Sequence, residues 1–292
     1  MINRRRAPSS EISSKKKIYG HKQEEIYANL IHGTVIKGTQ KKDVKDKFGK
    51  MHSVKSGRKW QIFLYSYSRI SSSLNLNILK DCLDSFPDNY DVYLKDRISC
   101  ISFKEDYIKK NGKDAGRNLS NEEVQKKLGK NSYILAKYKL YDNTLKISNL
   151  LKEKNIVKKF YNEAIFNNDE VDFLAIKDDS QPNNELFKVF ERNDIINILS
   201  EFTIPSVSKA GRVPEDFNVD GQKVLFRYKN SNSVFKNIVE IEVRNDSKSK
   251  YKSLRFNMYS KDTLYLLESN VDKKIINKNL IVFGDAINKF SF

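Results

Sequence analysis

The sequence predicts a mixed α/β fold: a central mixed β-sheet flanked by helices, followed by a helical and then β-rich C-terminal part. Three observations predict it. Apolar residues recur at helical spacing over residues 20–33, with Ile26, Tyr27, Leu30 and Ile31 on one stripe and Gly33 as a natural stop. The stretch from Gly38 to Tyr65 then reads as two short strands joined by a turn. Further on, residues 223–228 and 238–244 alternate polar with apolar like paired strands, and residues 251–259 add a third.

The elements follow in order. Residues 1–18 are basic and serine-rich and predict a flexible arm, with Arg4, Arg5, Arg6, Lys15, Lys16 and Lys17 able to lie along phosphates. In the hairpin, Asp43 opens the first strand, Lys47-Phe48-Gly49-Lys50 make the turn, and His52-Ser53-Val54-Lys55 form the second strand. The apolar run from Trp60 to Tyr65 reads as a strand leaving the hairpin or the start of a helix. Residues 72–86 predict a helix ended by Pro87, and residues 97–103 a strand. Residues 118–160 are helical in pattern, with Ser120 as N-cap and Glu123 three residues on, and a second helix covers about 143–168. Residues 171–176 and 187–190 predict strands, the latter followed by a helix capped by Asn193 or Asp194. Residues 203–216 predict a loop.

Composition bounds the function. At 292 residues the chain is long enough for one large domain or two small ones, and 39% hydrophobic with 11% aromatic residues supports a real core and excludes a disordered chain. Lys and Arg total 54 against 37 Asp and Glu, a net charge of +17 that favours polyanions, nucleic acid first and an anionic membrane surface second. Cys82 and Cys100 form no metal-ligand spacing and fit a reduced protein, so a bacterial cytoplasmic location is expected. No apolar run approaches the ~20 residues of a membrane span, and no apolar core follows the N-terminal charges, so neither a membrane partner nor a secretory signal is expected. With only His21, His32 and His52, zinc clusters and Ser/His triads lack parts, and no Walker-type glycine loop is present.

The chemistry concentrates at the hairpin. A carboxylate on the helix (Glu24 or Glu25), Asp43 on one strand and Lys55 on the next can hold a divalent cation and a water beside a phosphodiester. Glu24 has apolar partners three, six and seven residues on, which places it at the edge of the buried stripe. At these residues the sequence resembles the PD-(D/E)XK nuclease superfamily, particularly type II restriction endonucleases. The matching pieces are the helix glutamate, Asp43, the lysine of Ser53-Val54-Lys55, and Gln61 downstream. The departure is Ser53, where the family usually has Asp or Glu; some members draw a ligand from the helix instead.

The resemblance implies a restriction-endonuclease-like core that binds Mg²⁺ through Glu24, Asp43 and the carbonyl of Val54. It implies that Lys55 orients the water and offsets charge, and that Gln61 holds the water or the phosphate. It implies a catalytic core over residues 19–110, a recognition and dimerisation region over residues 111–292, and a homodimer that cuts double-stranded DNA at a specific sequence. Expected DNA contacts are Lys41, Lys42, Ser56, Arg58 and Lys59 around the hairpin, Lys209 and Arg212 in the loop, and Arg227, Arg244 and Arg255 on the C-terminal strands. Asp172, Glu240 and Glu242 form a rival metal cluster, but Arg244, not a lysine, follows, and alternating charges on an edge strand suit a wet face better. Two other readings stand beside the first: a structure-specific nuclease of the junction-resolvase or repair type, and a non-catalytic DNA-binding protein, for which Ser53 is the evidence.

Overall fold

A computed structural model describes residues 10–38, 41–179, 185–207, 223–244 and 251–290. In chain order the elements are α1 (Ser10–Leu30), β1 (Thr34–Val35), β2 (Val44–Lys45), β3 (Met51–Lys55), β4 (Lys59–Ser66), α2 (Tyr67–Ser72), α3 (Lys80–Asp84), α4 (Tyr90–Asn111), α5 (Lys113–Asn118), α6 (Asn121–Leu128), α7 (Ser132–Leu150) and α8 (Lys154–Phe166). They continue with β5 (Phe173–Lys177), β6 (Phe187–Glu191), α9 (Arg192–Phe202), β7 (Ile204–Val207), β8 (Lys223–Lys229), β9 (Phe235–Arg244), β10 (Ser253–Tyr259), α10 (Ser260–Glu268), β11 (Lys273–Asn277), β12 (Leu280–Phe283) and α11 (Ala286–Lys289). The fold is mixed α/β, as expected.

The chain divides into two units. The first comprises Met1–Trp60, Phe166–Leu199 and Thr263–Phe292, and the second Gln61–Ile165 and Ser200–Asp262. The expected boundary near residue 110 falls elsewhere because strand pairing, not chain order, defines each unit. In the first unit a seven-stranded sheet runs β1-β2-β3-β5-β6-β12-β11. Its β1, β2 and β3 are antiparallel, β5 lies parallel to β3 with His52 opposite Phe173 and Lys55 opposite Ile176, and β12 lies parallel to β6.

Local chemistry sets the start of that sheet. Helix α1 stops where Gly33 N donates to Ala28 O at 2.8 Å. A Cβ on Gly33 would lie 2.8 Å from the Lys45 carbonyl oxygen, so only glycine lets helix and strand approach this closely. The β2–β3 turn is built on Asp46, whose Oδ1 accepts from Phe48 N at 2.9 Å and Lys50 N at 2.8 Å, with Gly49 at φ 86°. One face of the sheet carries Val44, Val54, Phe173, Ala175, Phe187, Val189, Leu280 and Val282, buried with Tyr27, Ala28 and Ile31 of α1 and with Ala286 and Phe290 beyond β12. Because side chains alternate along a strand, Ser53 and Lys55 point to the opposite face.

The second unit holds a five-stranded sheet in the order β4-β10-β9-β8-β7, with α8 residues Phe160 and Tyr161 packed on Phe226, and Phe160 on Phe256. Expected strands at residues 223–228, 238–244 and 251–259 are β8, β9 and β10, paired antiparallel. The Ser120–Glu123 capping box is formed in full, with Glu123 N on Ser120 Oγ at 3.2 Å and Ser120 N on Glu123 Oε2 at 2.8 Å.

Several expectations are corrected. Residues 10–18 are helical, the first turns of α1, rather than part of a flexible arm; residues 1–9 lie outside the described residues. Residues 97–103 belong to α4, not a strand: Tyr93 and Cys100, both fully buried, are seven residues apart, two helical turns. Residues 72–86 form a 3-10 turn at Asn77–Leu79 and the short α3 instead of one helix, and Leu74 stays 81% exposed. The helical run to residue 168 breaks between α7 and α8. Among the described residues no helix is long and apolar enough to cross a membrane.

Candidate active site

The geometry starts at Asp43, just before β2. Its backbone extends the ladder, with Asp43 N on His52 O at 2.9 Å and Ile36 N on Asp43 O at 2.9 Å. Strand β2 does not continue past it, so the amide of Val54 would lose its ladder partner. The Asp43 carboxylate supplies one: Oδ2 accepts from Val54 N at 2.7 Å. Ser53 Oγ donates to the same oxygen at 3.0 Å, and Lys55 Nζ lies 3.5 Å away. The Lys55 and Asp43 side chains are 17% and 15% exposed, so water and a ligand reach a pair already half removed from bulk solvent. Asp43, Ser53, the Val54 amide and Lys55 therefore meet at one point on the sheet.

The other expected members sit differently. Glu24 is partly buried on α1 and pairs with His21 Nδ1 at 3.1 Å, one helical turn back. Its helix covers the face bearing His52 and Val54, whereas Ser53 and Lys55 point the other way. Glu25 is exposed. The Val54 side chain is buried in the α1 cluster, and it is the Val54 amide that touches Asp43. Gln61 is exposed on β4 and falls in the second unit.

The basic residues are mostly engaged. Lys42 pairs with Glu170 at 3.0 Å, Arg227 Nε donates to Asn237 at 3.3 Å, and Arg255 forks onto Glu242. Arg58 and Lys59 are exposed, and Lys41 and Ser56 are half-buried. Lys209 and Arg212 lie outside the described residues, as does the side chain of Arg244.

The expected wet edge at Glu240 and Glu242 is corrected. Asp172 belongs to the first unit, where its carboxylate accepts from Met51 N at 2.9 Å and Lys50 Nζ at 3.1 Å. Glu240 and Glu242 belong to the second, on the central strand β9 rather than on a wet edge. Glu240 is 1% exposed and neutralised in place by Lys223 at 3.1 Å, Asn257 at 3.1 Å and Tyr259 at 2.6 Å. Their alternation with apolar residues resembles a solvated face because charge pairing, not water, solvates them.

His52 is fully buried. Its Nδ1 lies 2.9 Å from the Tyr27 hydroxyl and its Nε2 3.4 Å from Asp46 Oδ2, and the ring stacks on Phe173 at 4.9 Å. With Nε2 carrying the proton, Tyr27 donates to the ring and the ring donates to Asp46. Burial and the nearby Asp46 charge push the Tyr27 phenol far above its ordinary pKa. This chain fixes α1 on the sheet.

An acidic triad that the sequence reading missed lies in the first unit. Single oxygens of Glu191, Asp194 and Asp285 fall within 4.8 Å of one another and could hold a metal ion. Asp194 and Asp285 line a polar cleft of about 870 Å³ together with Asp272, Ser269 and Asn270. Burial first, then the Asp285 and Glu191 charges, raise the Asp194 pKa, against a hydrogen bond from Asp285 N. Lys289 offsets part of the charge, 3.2 Å from Glu191 and 3.4 Å from Asp285. The one sequence signal was Asp194, read there only as a helix cap.

Comparison of the chain with protein-family models, with curated proteins and with solved structures finds no match.

Proposed function

We propose that this protein is a Mg²⁺-dependent endonuclease that hydrolyses double-stranded DNA at a specific sequence, a restriction-type enzyme acting as a homodimer. The observation that carries the reading is the convergence of Asp43, just before β2, and Lys55, at the end of β3, at 3.5 Å, on a mixed sheet whose first three strands are antiparallel and whose fourth runs parallel to the third. The net charge of +17 supports a polyanionic substrate.

The oxygen donors here, the Asp43 carboxylate and the Ser53 hydroxyl, fit a hard cation that keeps several waters. Mg²⁺ bound there would supply a Lewis acid for the scissile phosphate and an acidified water. Asp43 anchors the site, held in place by the Val54 amide and the Ser53 hydroxyl. Lys55 presents its ammonium to the same spot, where it offsets charge growing on the phosphate oxygens and orients the attacking water. The exposed Arg58 and Lys59 hold the DNA backbone beside it.

Digestion of plasmid DNA with and without Mg²⁺ tests the reading. Discrete fragments that require Mg²⁺ are expected, and Asp43→Ala should bind DNA without cutting it. Full cleavage by Asp43→Ala would end the assignment. A second reading, DNA binding without cleavage, is favoured by Ser53, which spends its hydroxyl on Asp43 where an acid is usual. DNA retention with no cutting in any divalent cation would establish it.

A further inference from the structure

Strand β3 ends at Lys55, and the three residues Ser56, Gly57 and Arg58 turn the chain toward β4. At the turn, Gly57 adopts φ 88°, a conformation open to glycine and strained for other residues. Both polar groups of its backbone are held. Trp60 Nε1 donates to Gly57 O at 3.0 Å, and Gly57 N donates to Asp179 Oδ2. Asp179 lies two residues beyond the end of β5, the strand paired with β3.

The Asp179 carboxylate is itself anchored. Its Oδ1 accepts from Lys177 Nζ at 3.2 Å and from the Tyr19 hydroxyl at 3.4 Å, and Lys177 Nζ also donates to Tyr19 at 3.1 Å. The Lys177 side chain is only 6% exposed, so its charge depends on these partners. Tyr19 belongs to α1, five residues before Glu24. One carboxylate thus ties together the turn after Lys55, the end of β5 and the helix that carries Glu24.

We propose that Asp179 is a positioning residue: by clamping the Gly57 peptide and, through Tyr19, α1, it sets where Lys55 stands relative to Asp43. The inference rests on the nuclease reading but is separable from it. Loss of the clamp lets the turn relax and lets the last residue of β3 follow. Displacement of a catalytic group by an ångström costs turnover while leaving distant substrate contacts intact.

The chain contains one tryptophan, and it sits on the clamp, so its emission reports the turn directly. Asp179→Ala and Tyr19→Phe in the full chain are compared with wild type by Trp60 fluorescence, thermal melting, and Mg²⁺-supported cleavage of duplex DNA. Asp179→Ala is expected to red-shift Trp60 and make it easier to quench. It should lower the maximal cleavage rate by between about tenfold and 10²-fold, with little change in the DNA concentration at half-maximal rate. Tyr19→Phe should move both readouts the same way by less. A wild type that cuts, with Asp179→Ala equal to it, overturns this proposal alone. A rate loss with Trp60 unmoved, or one explained by a collapsed melting curve in both variants, overturns it too. A wild type that cuts nothing under any condition defeats the nuclease reading, and a positioning role for Asp179 falls with it.

Discussion

Asp43 and Lys55, twelve residues apart, face each other at 3.5 Å because the Asp43 carboxylate stands in for a missing strand residue and accepts the Val54 amide. The pair is therefore partly structural: Asp43 completes the ladder of β3, while the Lys55 ammonium is the group free of backbone duty. The two residues should respond differently to substitution.

Lys55→Gln removes the ammonium and leaves the Val54–Asp43 hydrogen bond in place. Stability should change by about 1 kcal/mol or less, since the pair keeps part of its contact with water. Cleavage should fall by about 10²-fold or more, with DNA affinity nearly unchanged. Urea unfolding, a filter-binding titration and a cleavage time course check the three parts. Asp43→Ala, which orphans the Val54 amide, should cost more stability than Lys55→Gln.

Tyr27→Phe deletes one hydroxyl from a fully buried site and leaves His52 Nδ1 without its donor. The expected loss is about 1–3 kcal/mol, because a buried acceptor stays desolvated and unpaired. The urea midpoint should fall with an unchanged slope. A midpoint within error of wild type would mean that the hydrogen bond contributes nothing.

Asp46 should make the fold acid-sensitive. Burial raises its pKa, but hydrogen bonds from His52 and from the Lys50 and Phe48 amides outweigh burial and bring it below the ordinary aspartate value. A depressed folded pKa means that the unfolded chain takes up the proton first. The stabilisation is then complete above the unfolded pKa, about 3.9, and is lost as pH falls through the folded one. Asp46→Asn should be less stable than wild type at neutral pH, and the gap should close in the most acidic buffers. Stability curves at a series of pH values measure this.

Asp194 carries the opposite sign. Its pKa is raised, so the folded state takes up the proton first and gains stability as pH falls from the folded value toward the unfolded one. Asp194→Asn relieves the repulsion among three carboxylates and keeps an acceptor for Asp285 N. It should be as stable as wild type or more so at neutral pH, by up to about 1 kcal/mol, with the gain vanishing in acid. A drop in melting temperature at neutral pH would show that the charge is needed where it is.

Legibility followed the range of each interaction. The Asp43–Lys55 hairpin was readable because a turn at Gly49 brings residues close whatever the rest of the chain does. The capping box at Ser120 and the helix end at Gly33 were readable for the same reason. Residues 97–103 were misread because alternation over seven residues also satisfies a two-turn helix, and only the buried Tyr93 and Cys100 show which period applies. Glu24 was readable as an edge residue of α1, but its pairing with His21 and the face its helix covers were not.

Sequence alone determined the local geometry of this protein: where helices stop, where the hairpin turns, and which acid and which lysine it brings within reach. Tertiary structure decided that β5, more than a hundred residues later, lies parallel to β3, and that His52 and Glu240 are buried with partners instead of wet. It also decided that Asp179 reaches back to the Gly57 peptide. The division has one physical cause. Torsional and hydrogen-bonding preferences act over a few residues and are written in them, whereas strand pairing and desolvation depend on whichever distant residues arrive alongside.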